Sequence, residues 1–165
     1  MLKCHELLGF VSPALAQEIL EYTFVTDKPV YRTVLAAVAE SNRVRPVFLE
    51  RKPRTVRHTE MLSALTRPRL EEAAANLIRT WLLKAQTPML TDFLDCLGIQ
   101  HDKGAVEEFP PAVEDAKLQA AVDLLLSKHP AEKVIIYLNT VRATAGVDWQ
   151  NLEDLLQKDP RLQLG

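Results

Sequence analysis

Apolar residues recur every three to four positions along most of this chain, and each such stretch predicts a helix with one buried face. The clearest stretch covers residues 67–86, where Glu71 and Glu72 near the start and Lys84 near the end also complement a helix dipole. Its apolar positions follow the helical spacing without a gap: Leu70, Ala73, Ala74, Leu77, Ile78, Trp81 and Leu82. Stripes of the same kind predict further helices over 12–25, 27–41, 87–98, 111–128, 130–144 and from Asp148 onward.

Proline marks the start of several of these helices. Ser12-Pro13, Thr87-Pro88 and Pro110-Pro111 each stand at the head of an apolar-periodic segment. Proline suits the first helical turn because the amide that it lacks has no partner there, and a preceding Ser or Thr can cap the turn. The region 42–65 is less regular and predicts only short helices, near 46–51 and 55–65. In the second of these, we expect Val56, Met61, Leu62 and Leu65 to point inward. The short connections between the predicted helices favour antiparallel helical hairpins.

These signals predict an all-α protein of about seven to nine helices, built from antiparallel hairpins that pack as an orthogonal or irregular bundle. The scarcity of glycine, with 5 residues, agrees with helix over sheet. One segment leaves an alternative open, because the β-branched run from Val134 to Tyr137 is also compatible with a strand. We favour a helix there, since Pro130 and the flanking residues keep helical spacing.

The longest break in the pattern covers residues 99–110 and predicts a linker. It divides an N-terminal helical part, 1–98, from a C-terminal hairpin and last helix, 111–165, which we expect to pack as one compact unit. The sequence His101-Asp102-Lys103-Gly104 lies in this break. We interpret it as a polar turn closed by glycine rather than as a reactive site.

Charge is distributed unevenly. The chain as a whole carries a net charge of −2, whereas residues 43–69 hold eight basic and two acidic side chains, a net +6. Arginine presents a rigid fork of donors to phosphate or carboxylate groups. The candidate residues for binding an anionic partner are therefore Arg43, Arg45, Arg51, Lys52, Arg54 and Arg57. The interpretation that we favour is that they pair with the chain's own acids, for which residues 92–123, with a net −6, are suitable.

No motif for a reaction, cofactor or metal is found in the sequence. The four histidines have no partner at the spacing of a zinc helix, and Asp92 and Asp95 lack the Glu-x-x-His companions of di-iron bundles. Cys4 and Cys96 lie far apart, which is typical of reduced thiols in a cytoplasmic protein. We assign no catalytic residue, metal ligand or cofactor. Between an enzyme and a protein without catalytic activity, we favour the second.

The function that we predict is a non-catalytic, cytoplasmic module for protein–protein interaction. Its protein partner is not specified by the sequence, and a homodimer is one such assembly. No apolar stretch approaches the roughly 20 residues that span a bilayer, so we predict no membrane partner. The alternative, which we favour less, is a protein that binds nucleic acid or a phosphate ligand through the basic segment 43–69.

Overall fold

The computed structural model describes residues 2–143 and 147–164, and within them the predicted all-α class is confirmed. The described chain contains ten α-helices and no strand. Two short 3-10 turns, Pro68–Leu70 and Pro160–Leu162, adjoin these helices. The helices are α1 (Cys4–Phe10), α2 (Pro13–Thr26), α3 (Lys28–Ser41), α4 (Pro46–Glu50), α5 (Arg54–Ala64), α6 (Glu71–Ala85), α7 (Thr87–Leu97), α8 (Asp115–Lys128), α9 (Ala131–Ala143) and α10 (Gln150–Lys158).

Several helices begin and end as their sequences predict. The Ser12 hydroxyl accepts a hydrogen bond from the Leu15 amide at the start of α2, and an Asp27 carboxylate oxygen accepts one from the Val30 amide in α3. Gly98 ends α7 with a φ of 71°, in the left-handed region that glycine adopts most readily. Thr87 opens α7 but does not cap it, because its hydroxyl donates to the carbonyl of Leu83.

Two elements differ from the predicted ones because distant residues define them. α1 lies outside the predicted helices, and it brings the number of helices to ten in the described part of the chain. The carboxylate of Glu71 in α6 accepts hydrogen bonds from the Cys4 amide at 3.1 Å and the His5 amide at 2.9 Å. This cap comes from more than sixty residues away, so no local sequence pattern predicts it.

The ambiguous run Val134–Tyr137 lies inside α9 and is helical.

Residues 111–114 are not helical, although the predicted helix began at Pro111. α8 starts at Asp115 instead, behind an extended Glu114. The Asn151 amide group donates to both the Val113 carbonyl and the Asp115 carboxylate, each at 2.8 Å. α10 therefore holds the segment extended and sets the first turn of α8 four residues late.

The chain forms two compact units, residues 2–81 and the part from Leu82 onward. The first unit buries side chains of α2 and α3 such as Ile19, Leu20 and Val34. The second buries Phe93 and Trp149, and the Trp149 indole donates to the Pro110 carbonyl at 2.8 Å. The predicted linker 99–110 lies inside this second unit, and the predicted domain organisation stays a prediction.

Each helix in the described ranges is too short or too polar to cross a bilayer.

Candidate functional site

The structure divides the six candidate residues for anion binding into two groups of three. Lys52, Arg54 and Arg57 have partners within the first unit. The Lys52 ammonium lies 2.5 Å from the Glu60 carboxylate, and the Arg54 guanidinium forms an ion pair with Glu21. The Arg57 Nε donates to the Tyr31 hydroxyl at 2.8 Å, and its Nη1 donates to the carbonyls of Glu50 and Lys52.

The other three candidates, Arg43, Arg45 and Arg51, have exposed side chains. None of the three side chains makes a hydrogen bond or ion pair with a residue in 2–143 or 147–164. They flank α4, a single helical turn that Pro46 begins and that buried Leu49 anchors. These guanidinium groups are therefore available to a binding partner.

Exposed apolar side chains lie between these arginines. Val44 is 40% exposed, Val47 39% and Phe48 53%, in a segment of five residues. Leu49 faces inward from the same turn at 2% exposure, so α4 has one anchored side and one free side. We name the free residues Arg43, Val44, Arg45, Val47, Phe48 and Arg51 the α4 strip. The strip combines cations with an aromatic and two aliphatic side chains and also carries exposed Glu50 at its edge.

Two of the paired cations, Arg54 and Arg57, belong to a polar chain of α2, α3 and α5. Because arginine only donates hydrogen bonds, the Tyr31 hydroxyl accepts from Arg57 and donates its own proton to the His58 Nε2, 2.9 Å away. His58 therefore carries its proton on Nδ1, which faces a Glu21 carboxylate oxygen at 3.5 Å. Burial and then the nearby charges of Arg57 and Arg54 lower the pKa of His58 to about 4.

This chain has the order of a nucleophile, a base and an orienting acid, but substrate does not reach it. Tyr31 and His58 are each 6% exposed. The Phe24 ring packs edge-on against both, with centroid distances of 4.9 Å and 5.4 Å, and the Arg54 guanidinium lies over that ring at 4.4 Å. Burial raises the pKa of the Tyr31 hydroxyl, which opposes formation of a phenolate nucleophile. The arrangement therefore joins three helices and holds Arg57 in place.

The acidic stretch 92–123 has partners of its own in the second unit. Asp92 contacts His129 at 3.0 Å, and the Asp123 carboxylate accepts from Arg161 at 2.9 Å. Lys52 and Arg54 do pair with acids of the chain, as the interpretation that we favoured requires. Their partners are Glu60 and Glu21, however, and neither belongs to the predicted acidic stretch.

The segment after α7 forms the predicted polar turn. Asp102 and Ala105 exchange two backbone hydrogen bonds of 2.9 Å, with Lys103 and Gly104 between them at φ values of 52° and 91°. A Cβ on Gly104 would lie 2.9 Å from the Leu90 Cβ, so both conformation and space require glycine. The Gly104 amide also donates to the Nδ1 of His101, whose Nε2 donates to Asp95 at 2.7 Å.

Asp92 and Asp95 thus contact different histidines, His129 and His101. Within the described residues, no three His, Cys, Asp or Glu side chains form a group that could hold a metal ion. Cys4 is a buried free thiol whose pKa burial raises to about 11, and Cys96 is an exposed free thiol.

No family model, curated protein or solved structure matches this chain. The chain is an all-α protein of short helices with an exposed, arginine-flanked apolar strip at α4.

Proposed function

We propose that this chain is a protein–protein interaction module whose α4 strip docks a partner surface of apolar side chains rimmed by carboxylates. The observation that carries the proposal is the exposure of Phe48 and Val47 beside three arginines that have no hydrogen-bond or ion-pair partner within residues 2–143 and 147–164. Aromatic residues and arginine are enriched at the centres of protein interfaces, where a few such side chains supply most of the binding energy. The buried Leu49 keeps this turn in place before the partner arrives, which reduces the entropy lost on binding.

The division of the basic segment favours a protein partner over nucleic acid. Affinity for nucleic acid grows with the number of phosphates that free cations neutralise. Lys52, Arg54 and Arg57 already bind groups of the protein, which leaves half of the six candidates without a partner in the described part of the chain. Exposed Glu50 reduces the positive charge of the surface further.

Nucleic acid binding remains the second candidate function because of one observation. Phe48 is half exposed between arginines, and bases of single-stranded nucleic acids stack on such aromatic rings.

The proposal of an interaction module includes a cytoplasmic location, which the two free thiols support. It also includes a second copy of this chain as one form of partner.

An array of short fluorescent peptides tests the proposal. The peptides carry leucine or phenylalanine at varied spacing with aspartate and glutamate between them, and a single-stranded oligonucleotide serves as the competing ligand. We expect peptide binding that Phe48→Ala weakens about tenfold or more, since burying one aromatic anchor is worth at least about 1.4 kcal/mol. Phe10→Ala is the matched control, because Phe10 is 55% exposed on α1, outside the strip.

A second pair of variants tests the charged part of the strip. Arg51→Gln should weaken binding of the acidic peptides, whereas Arg54→Gln should not, because Arg54 is already paired with Glu21. Equal loss in both variants contradicts the division of the basic segment. Tight oligonucleotide binding that falls steeply between about 50 and 200 mM salt, with no peptide bound, would replace the proposal with the second candidate.

A further inference from the structure

A cleft of about 390 Å³ lies beside the α4 strip, between the end of α3 and the start of α6. Ser41, Leu70 and Ala73 form part of its wall. Four exposed charged side chains also line it: Glu40, Arg43, Arg69 and Glu72. None of these four side chains forms an ion pair or hydrogen bond with the residues that the structure describes. The cleft therefore presents two guanidinium groups and two carboxylates that have no partner within the described residues.

Arg43 occupies a backbone position that favours glycine. The Arg43 amide donates to the Glu40 carbonyl and the Val44 amide to the Ala39 carbonyl, both at 3.0 Å, which is the hydrogen-bond pattern of a Schellman motif. In that motif the residue after the C-cap is left-handed, and Arg43 has a φ of 57°. Side chains with a Cβ are strained there, so termination of α3 alone favours glycine over arginine. The stability of the helix end therefore does not account for an arginine at this position.

The wall around Arg43 is fixed independently of any ligand. Arg67 donates to the Ser41 hydroxyl at 3.1 Å and to the Asn42 side-chain oxygen at 2.8 Å. Leu70, which lines the cleft, is 7% exposed. The end of α3 is therefore tied to the segment that precedes α6, and the cleft is present before binding.

We propose that this cleft accepts a pair of oppositely charged side chains from the partner protein, a carboxylate at Arg43 and Arg69 and a cation at Glu40 and Glu72. The inference rests on the proposed function, because Arg43 belongs to both the α4 strip and the cleft. A lone carboxylate or phosphate would gain bonds to the arginines but would be repelled by the two glutamates. A pair of opposite charges offers each of the four groups a partner of the opposite sign.

The exposure of the cleft favours side chains on a protein surface over a free small molecule. Small-molecule sites enclose most of the ligand and are lined mainly by apolar groups. All four charged residues here are exposed, so a bound group keeps one side towards solvent. The cleft then acts as the part of the docking surface that selects among partners by their charge pattern.

Three capped dipeptides provide defined probes: acetyl-Glu-Lys-amide and its singly charged analogues with glutamine in place of either residue. Their binding is followed by NMR through the Arg43 and Arg69 Nε–H signals and the Glu40 and Glu72 carboxylate signals. We expect the doubly charged dipeptide to bind about threefold or more tightly than either analogue and to shift all four signals. Equal affinities for the three dipeptides, or shifts confined to other residues, would overturn the proposal.

Arg43→Gly is the decisive variant, because it removes the side chain and relieves the backbone. We expect dipeptide affinity to fall about tenfold while the melting temperature stays the same or rises, so that unfolding does not explain the loss. Arg45→Ala, on the α4 strip but outside the cleft, is the matched control and should retain dipeptide binding. An Arg43→Gly protein that binds the dipeptide as the wild type does would overturn the assignment.

Phe48→Ala separates this inference from the proposed function. The substitution should weaken binding of the peptides that combine apolar and acidic residues. It should leave binding of the dipeptides unaffected, because Phe48 does not line the cleft. If the dipeptides bind without a preference while peptide binding still depends on Phe48, only the proposed role of the cleft is refuted. Intact dipeptide preference without Phe48-dependent binding refutes the α4 strip as the docking surface and, with it, the docking role given to the cleft.

Discussion

Acidification should destabilise this protein through His58, and the structure indicates by how much. In the folded state the pKa of His58 is lowered to about 4, first by burial and then by the charges of Arg57 and Arg54, whereas an unfolded histidine has a pKa near 6.5. Between these two values the unfolded chain binds a proton that the folded chain does not. The stabilisation present above about pH 6.5 is therefore lost as the pH falls towards 4.

The magnitude follows from the difference between the two pKa values. A difference of about 2.5 pH units corresponds to about 3 kcal/mol of unfolding free energy, of which about 2 kcal/mol is lost by pH 4.5. Glu21 limits the loss, since its carboxylate lies 3.5 Å from the imidazole Nδ1 and attracts the protonated ring. The tyrosine bond acts in the other direction, because Nε2 must remain unprotonated to accept from the Tyr31 hydroxyl.

Urea denaturation of the wild type and His58→Gln between pH 7 and 4.5 measures this contribution. Glutamine offers a side-chain oxygen to the Tyr31 hydroxyl and does not titrate, so every other titration is shared and cancels between the two proteins. We expect the wild type to lose about 2 kcal/mol more than the variant over this range. Parallel curves for the two proteins would show that His58 titrates normally and that the buried polar chain is not as described.

Three further predictions concern stability and chain order. Tyr31→Phe should cost about 2 kcal/mol of unfolding free energy, because it leaves the imidazole without its donor, while Tyr22→Phe, at a half-buried tyrosine outside that chain, should change stability by less than about 0.5 kcal/mol. Trp81→Ala should cost about 3–5 kcal/mol, since Trp81 is 1% exposed, and an unchanged melting curve would contradict its place in the core. A glutamate-specific protease should cut first after Glu107 or Glu108, which are exposed and outside the helices, and a first cut inside a helix would refute this order.

The fold was predictable from the sequence where short-range chemistry determines it. The Ser12 and Asp27 caps, the glycine stop at Gly98 and the stripe that ends in Trp81 and Leu82 all depend on neighbours within a few turns. The start of α1 was not predictable, because Glu71 caps it from a different helix, and neither was the delayed start of α8, because α10 holds the preceding segment.

The periodicity also placed one side chain of α5 on the wrong face. Val56 was predicted to point inward, together with Met61, Leu62 and Leu65, but it is 47% exposed. His58 points inward instead. It lies one turn before Met61 and is buried, with a hydrogen bond to the Tyr31 hydroxyl. An apolar pattern alone does not identify a histidine as a core residue, because its burial depends on a partner 27 residues away.

Partners distant in sequence also determine which cations of the basic segment are available for binding. In sequence its six candidate cations are equivalent, and their number suggests a surface for anions. In the structure three of them have partners within the protein, which are Glu21, Glu60 and Tyr31. Each of these partners lies on a helix that packs beside the basic segment or within it. Of the six candidates, the three without a partner among the described residues are those next to exposed valines and a phenylalanine, so the surface changes from a cationic one to a mixed apolar and charged one. The charge that matters for recognition is the charge that folding leaves without a partner, and here that charge supports the proposed protein partner over a phosphate backbone.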